Sequence, residues 1–415
     1  MNDIERPSYL RQIEPFFETP VIKVLTGMRR VGKSSLLRLL MRHLAQRGIS
    51  ESQIIYINKE SMEWDFIRGD TDLYRYITGR IDASSGKPYL FIDEVQEVSG
   101  WERVVNSLLA DNRADITVTG SNAGLLSSEL ATLIAGRYIE FPVFPLSYRE
   151  FLLFRGVHSG ETVNDDPEEF RLFLRYGGLP GIHTLEPADA TVFPYLNALY
   201  STIVLKDVVS RNRIRDPGQL DRIVRFVFDN AGNITTAKRI TDFLKNQKIT
   251  AGVDKVLHYL ACLEQAFLIR RVLRYDIKGL RHLELYEKYY VGDVGLRHGF
   301  LGYRDGDING LLENIVYLEL LHRGYRVSIG KLGDREIDFI AERQGKRMYI
   351  QVSVALTSGE TVEREFSALE RIPDNHPKMV LSLDEYQRVN RGGIRHENLR
   401  EWLMREDDPP DPRYD

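Results

Sequence analysis

The run Gly27, Met28, Arg29, Arg30, Val31, Gly32, Lys33, Ser34, followed by Ser35, spaces two glycines, a lysine and a hydroxyl as G-x-x-x-x-G-K-[ST]. Such residues at this spacing suit the gripping of a polyphosphate. Glycines let the backbone curl until successive N–H groups converge on phosphate oxygens, and a helix opening at the second glycine adds its partial positive charge. The Lys33 ammonium would reach the β- and γ-phosphates of ATP, and the Ser34 hydroxyl would ligate Mg2+. Arg29 and Arg30 add charge to the same loop. Contact with phosphate, pairing with the domain's own acids, and contact with a partner subunit all remain open for them.

Hydrolysis also needs a metal ligand and a base. "PYLFIDEVQ" offers both, because its apolar strand ends in Asp93, a candidate Mg2+ ligand, and Glu94, a candidate to orient and activate water. The next apolar run ends in "TVTGSNAG", where Ser121 or Asn122 either contacts the γ-phosphate or the water, or caps the following helix. Arg137, in "LIAGRYIEF", either presents a cation to a neighbouring protomer's γ-phosphate, as an arginine finger does, or closes a surface ion pair.

These residues need elements to position them. Val21–Thr26, Ile54–Asn58, Tyr89–Ile92, Ile116–Thr119 and Tyr138–Val143 are short, β-rich runs. Between them, Lys33–Arg47, Asp72–Ile81, Trp101–Asn112 and Ala123–Ala135 carry apolar residues at helical spacing. Such alternation predicts a parallel sheet covered on both faces. The strand at 54–58 lies in sequence between the phosphate-loop strand and the Asp93 strand, which leaves room for an extra strand between those two in the sheet.

Beyond the polar break "GVHSGETVNDDPEE" the chain reads as mostly helical to about residue 216. A helix pair follows, Thr236–Asn246 and Val253–Gln265, and then a candidate hairpin in "AFLIRRVLRYD" and "LELYEKYYVGD". After "GYRDGDING" come a helix (Leu311–Arg323), strands at Tyr325–Gly330, Glu336–Glu342 and Met348–Val354, a charged helix (Glu360–Ile372) and a strand (Lys378–Leu383). The last residues, "REDDPPDPRYD", read as a disordered tail.

At 415 residues the chain is long enough for two or three domains, and 43% hydrophobic with 28% charged residues is ordinary for a globular protein. A net charge of −4 shows no global bias towards nucleic acid, though one basic face would suffice for it. Cys262, the single cysteine, excludes a disulfide framework or a Cys-rich zinc site, and "HYLACLEQAFLI" buries it as a structural thiol. With no run of 18 apolar residues and no apolar signal segment in "MNDIERPSYLRQ", the expectation is a cytoplasmic protein that does not meet the membrane.

Together, "GMRRVGKSSLL", "LFIDEVQ", "TGSNA" and "RYIEFPVFPLSYREF" resemble a family of prokaryotic AAA+-type ATPases. The likeness continues through "YGGLPGI", "LKDVVSRNRIRD", "YEKYYVGDVGLR" and "REIDFIAERQGKRMYIQVSVAL". It implies that Leu179 and Pro180 touch the adenine, where the residues alone give only a Gly-Gly-Pro turn, and it sets Arg6 on the adenine side. The middle region looks like a winged helix whose wing carries Arg270, Arg271, Arg274, Lys278 and Arg281, a set suited to DNA phosphates. The C-terminal block resembles the restriction-endonuclease-like fold. Asp338 matches its first acid and Glu313 could supply a further metal ligand, but Gln351 and Ser353 stand where an acid and a lysine belong. That departure argues against nuclease activity, since a metal-dependent nuclease needs acidic oxygens and a nearby cation.

The fold expected is therefore α/β. It comprises a P-loop AAA+-like parallel-sheet domain (1–155), a helical lid (156–216), a winged helix (217–302), a restriction-endonuclease-like domain (303–405) and a tail (406–415). The function expected is Mg2+-dependent ATP hydrolysis as a conformational switch, acting with nucleic acid, a protein partner or a second copy. The alternatives are an ATP-liganded DNA-binding regulator with negligible turnover, and an ATP-controlled nuclease.

Overall fold

In the computed structural model of the protein, which describes residues 4–406 except 83, 85, 127–135 and 386–389, the first five β-rich runs form one parallel sheet. The strands are β1 (Ile22–Thr26), β2 (Ile54–Asn58), β3 (Tyr89–Asp93), β4 (Asp115–Gly120) and β5 (Tyr138–Pro142), in the order β2-β3-β4-β1-β5. The extra strand between the phosphate-loop strand and the Asp93 strand is β4, which pairs in register with β3 (Phe91 opposite Thr117) and with β1 (Thr26 opposite Gly120). Every residue of β1, β3 and β4 is buried, as their unbroken apolar runs require of strands covered on two faces. Edge strand β2 alternates buried and half-buried residues. Ile22, Val24, Leu90, Ile92, Ile116 and Val118 form the core with Leu73 and Ile77 on one helix and Val104, Val105 and Leu108 on another.

Helices at Lys33–Gln46, Asp70–Asp82 and Trp101–Ala110 fall where the periodicity placed them. Only Ala123–Leu126 of the next expected helix is described, as a 3-10 turn, and its remainder at 127–135 lies outside the described residues. So does the expected tail from residue 407 onward.

The chain divides into two compact units, one reaching to Phe144 and including 265–267, the other comprising 145–264 and 268 onward. Sequence signals set the helix starts of the second unit. Ser147 and Glu150 form a capping box for Tyr148–Ser159, and Asp166 accepts the N–H groups of Glu168 and Glu169 ahead of Pro167–Tyr176. The helix pair appears at Ala237–Asn246 and Val253–Gln265.

The strands of this unit are β6 (Ile234–Thr235), β7 (Ile269–Asp276), β8 (Arg281–Val291), β9 (Arg326–Leu332), β10 (Arg335–Arg343), β11 (Lys346–Val352), β12 (Lys378–Ser382) and β13 (Arg395–Asn398). All eight belong to one sheet, in the order β13-β12-β11-β10-β9-β7-β8-β6. The expected hairpin is β7-β8, and β7 also runs parallel to β9, with Arg274 opposite Ile329 and Asp276 opposite Lys331. The β7-β8 hairpin and the C-terminal block therefore share a backbone ladder across residue 302. β13 and the helix Leu399–Met404 after it carried no periodic signal in the sequence.

Candidate active site

Parallel strands carry their C-terminal tips to one edge of a sheet, the edge where open α/β folds bind ligands. Here the order β3-β4-β1 sets the tips of the Asp93 strand, the Thr119 strand and the phosphate-loop strand side by side. The loop leaves β1 at Gly27 with φ +154°, where a Cβ would lie 2.2 Å from the Val143 carbonyl oxygen. No other residue fits there. Gly32, at φ +101°, opens the helix Lys33–Gln46, and Arg30 is also left-handed at φ +70°.

Lys33 is buried, and its ammonium donates to the Gly27 and Met28 carbonyls at 2.9 and 3.1 Å while lying 3.5 Å from Glu94 Oε1. Ser34 and Ser35 follow, half-buried, with Arg38 donating to Ser35 Oγ at 3.0 Å. Of the two loop arginines, Arg29 donates to Glu60 at 2.6 Å and Arg30 is exposed.

Asp93 and Glu94 meet a residue that sequence reasoning did not single out. Thr119, fully buried on β4, donates its hydroxyl to Asp93 Oδ1 at 2.5 Å and accepts the Glu94 N–H at 2.9 Å. Tyr56 of β2 donates to Asp93 Oδ2 at 3.4 Å, and Asp93 makes no ion pair among the described residues. A buried carboxylate met by hydroxyls rather than by a cation, with the Ser34 hydroxyl on the adjoining loop, is the oxygen donor set a hard cation such as Mg2+ takes. Glu94 sits in a left-handed conformation (φ 53°, ψ 53°) that turns it back over the loop, where Gln96 donates to its Oε2. Burial opposes its ionisation, but the Lys33 ammonium, the Gln96 amide, Arg29 and Ser121 together hold the Glu94 carboxyl below its ordinary value.

Ser121 and Asn122 part company. Ser121 is buried against Glu94, whereas Asn122 spends its Oδ1 on the Gly124 N–H at 2.7 Å, as a cap does. Arg137 is exposed just before β5. Arg6, expected on the adenine side, is buried and donates to the Val31 carbonyl at 3.2 Å and the Phe144 carbonyl at 3.1 Å, stacked on Tyr9. It ties the phosphate loop to the chain beyond β5. A lone arginine near the start of the chain gave no signal of that role.

The remaining candidates lie in the second unit. Leu179 is buried and Pro180 opens a short 3-10 helix after Gly177 and Gly178. On the β7-β8 hairpin expected as a wing, Arg271, Lys278 and Arg281 are exposed while Arg270 and Arg274 are half-buried, and Glu264 and Glu287 lie 3.8 and 3.9 Å from the Arg271 guanidinium. Gln351 holds the strand pair together, accepting the Asp338 N–H at 2.7 Å and donating to Glu365 at 2.9 Å, and Ser353 is buried. No helix among the described residues is long and apolar enough to cross a membrane.

Residues 19–152 match the family described as AAA domain, and residues 167–307 match one described as Domain of unknown function (DUF8612). An uncharacterized protein of Haemophilus influenzae is 36% identical over 402 residues, covering 97% of this chain and 98% of that protein. An uncharacterized protein of Methanocaldococcus jannaschii is 29% identical over 360 residues, covering 84% and 78% respectively. Among solved structures, the Walker-type ATPase of Pyrococcus abyssi superposes with a TM-score of 0.50 at 18% identity, covering 71% of this chain and 95% of that one, a likeness of fold.

Proposed function

The chain belongs to the family of the Haemophilus influenzae protein and carries an AAA-type P-loop ATPase domain, and from that premise we propose that it hydrolyses ATP as a conformational switch. The observation that carries this reading is the meeting of Lys33 and Glu94, 3.5 Å apart, across the tip of β4 and beside a loop only glycine can form. One residue is placed for the phosphates and the other for water.

The reaction is transfer of the γ-phosphoryl group to water, giving ADP and phosphate. The backbone N–H groups of residues 27–33 and the Lys33 ammonium bind the β- and γ-phosphates. In doing so Lys33 exchanges its present carbonyl partners for phosphate oxygens. Glu94, kept ionised at neutral pH by the charges around it, orients the attacking water and accepts its proton. Ser34 and Asp93 would hold Mg2+, which supplies neutralisation of the charge that builds on the phosphate oxygens. Thr119 fixes both Asp93 at the end of β3 and Glu94 after it, and Ser121 supports Glu94. Exposed Arg137 would act across a contact with a second copy, so that turnover rises with protein concentration. The exposed wing cations Arg271, Lys278 and Arg281 are the proposed contacts to DNA phosphates.

The test measures phosphate release and nucleotide binding on the same preparations. Glu94→Gln should abolish steady-state turnover while ATP still binds, and Lys33→Ala should weaken binding itself. Unchanged turnover in Glu94→Gln, with binding intact, would remove Glu94 as the base. Equal affinity in Lys33→Ala would end the phosphate-site reading altogether. Binding with no turnover in the wild type would favour the alternative of a nucleotide-liganded regulator.

A further inference from the structure

The second unit contains a cation that the motif of its C-terminal block does not contain. Lys288 lies on β8, in the run "YEKYYV", where a lysine would ordinarily be expected to face solvent. Instead it is 4% exposed. Its ammonium is 2.8 Å from Glu336 Oε1 on β10 and 3.1 Å from Glu313 Oε2 on the helix Ile308–His322. Tyr290, two residues on and so on the same face of β8, donates to the same Glu313 oxygen at 3.2 Å and packs against Tyr317 and Phe339. Asp338, on β10 beside Glu336, spends Oδ2 on the Val352 N–H at 2.8 Å.

The resemblance of the C-terminal block would put a nuclease's metal at Asp338 and Glu313, and with Lys288 among them these carboxylates do not offer a metal site. Among the described residues no three carboxylate, histidine or cysteine side chains are disposed to hold a metal ion. On β11, Gln351 presents an amide engaged at both ends, with no charge to add. We infer that the Lys288 ammonium is the resident cation of this carboxylate cluster, seated where a divalent metal would otherwise bind and closing the C-terminal block to metal chemistry.

The electrostatics agree. Burial and then the Glu313 charge push the Asp338 carboxyl well above its ordinary value, while burial drives Glu313 up against the pull of Lys288. For Lys288, the neighbouring carboxylates outweigh burial and keep the ammonium charged. Lys288 is buried while Glu313 and Glu336 are partly exposed, so loss of the ammonium removes the one cation paired with these two carboxylates among the described residues and leaves them to recruit another. A divalent ion carried by one or two carboxylates and several waters is the natural recruit, since Glu336 is 30% exposed and leaves solvent within reach. The cation comes from the wing hairpin and its carboxylates from the C-terminal block, so the same contact joins the two parts of this sheet.

The experiment counts bound Mn2+ by electron paramagnetic resonance on full-length protein without nucleotide, so that the phosphate site contributes no metal. Wild-type protein should bind no Mn2+ that Glu313→Gln removes, and its thermal midpoint should not respond to Mn2+. Lys288→Ala should gain one equivalent of Mn2+, lost again in Lys288→Ala with Glu313→Gln. Lys288→Arg, which keeps the charge, should remain metal-free. Glu313-dependent Mn2+ binding by the wild type would overturn the inference, as would a folded Lys288→Ala protein that takes up none. If Lys288→Ala does not fold, the wild type against Glu313→Gln still decides.

Discussion

Thr119→Val isolates the residue that joins the two acids of the phosphate site. The substitution keeps the branched shape and removes one hydroxyl, which gives a hydrogen bond to Asp93 at 2.5 Å and takes one from the Glu94 N–H at 2.9 Å. A hydrogen bond to a charged group contributes about 1.5–3 kcal/mol and a neutral one about 1 kcal/mol, so the loss is roughly 2–4 kcal/mol. Thr119, Asp93 and Glu94 are all buried, so water cannot readily replace the missing partner. For a domain of this size each kcal/mol moves the melting midpoint by about 4 °C, which predicts a fall of roughly 8–16 °C in the first unit's transition. The same change frees Glu94 from its anchored backbone, and a base displaced by about 1 Å costs on the order of a hundredfold in turnover. Nucleotide affinity should change little, because Lys33 and the loop are untouched. Differential scanning calorimetry, phosphate release and a nucleotide-binding titration together read all three quantities, with Thr119→Ser as the control that keeps the hydroxyl. A Thr119→Val protein with wild-type midpoint and turnover would refute the assignment, and equal damage from Thr119→Ser would shift the blame to packing.

Two other perturbations test parts away from that site. His183 is buried among Phe151, Phe154 and His158 with neither ring nitrogen hydrogen-bonded, and burial, reinforced by the His158 and Arg155 charges, depresses its pKa to about 3. The unfolded chain therefore binds the extra proton first, and stability should fall as pH drops from about 6.5 towards 3, by roughly 2 kcal/mol between pH 7 and 5. His183→Leu should flatten that part of the urea-denaturation profile, and parallel profiles for the two proteins would contradict the account. Replacing Arg271, Lys278 and Arg281 by Gln should weaken DNA association and lower its log-log salt slope by about 0.9 for each phosphate that is no longer neutralised. Association that is independent of salt, or unchanged by the substitutions, would leave the wing as a protein-binding surface.

Much of the first unit could be read in the sequence because its signals are local. An apolar run becomes a strand, a glycine-rich bend becomes the phosphate loop, and Asp93 and Glu94 stand at a strand tip because polar residues end a buried run there. Thr119 escaped because a threonine in an apolar strand reads as β-propensity, and its value lies in a neighbour brought close only by strand order. Arg6 was named only for the adenine side, and its tie to the loop escaped for the same reason, since its partners at Val31 and Phe144 are distant in sequence. Lys288 gave no sign either, because periodicity reports which face a side chain takes and not what waits on that face. The sheet shared across residue 302 had no local sign at all, as the pairing of β7 with β9 joins segments some fifty residues apart.

That pairing also limits how the protein can be dissected. A fragment stopped at residue 302 would bare the flank of β7 at Arg274–Asp276, an open template for pairing with other chains, and would strand the Lys288 ammonium without its carboxylates. A fragment begun there would bare β9 in the same way. The β7-β8 hairpin and β9 are strands of one sheet, so a displacement of the hairpin that keeps the β7-β9 ladder must carry β9 with it.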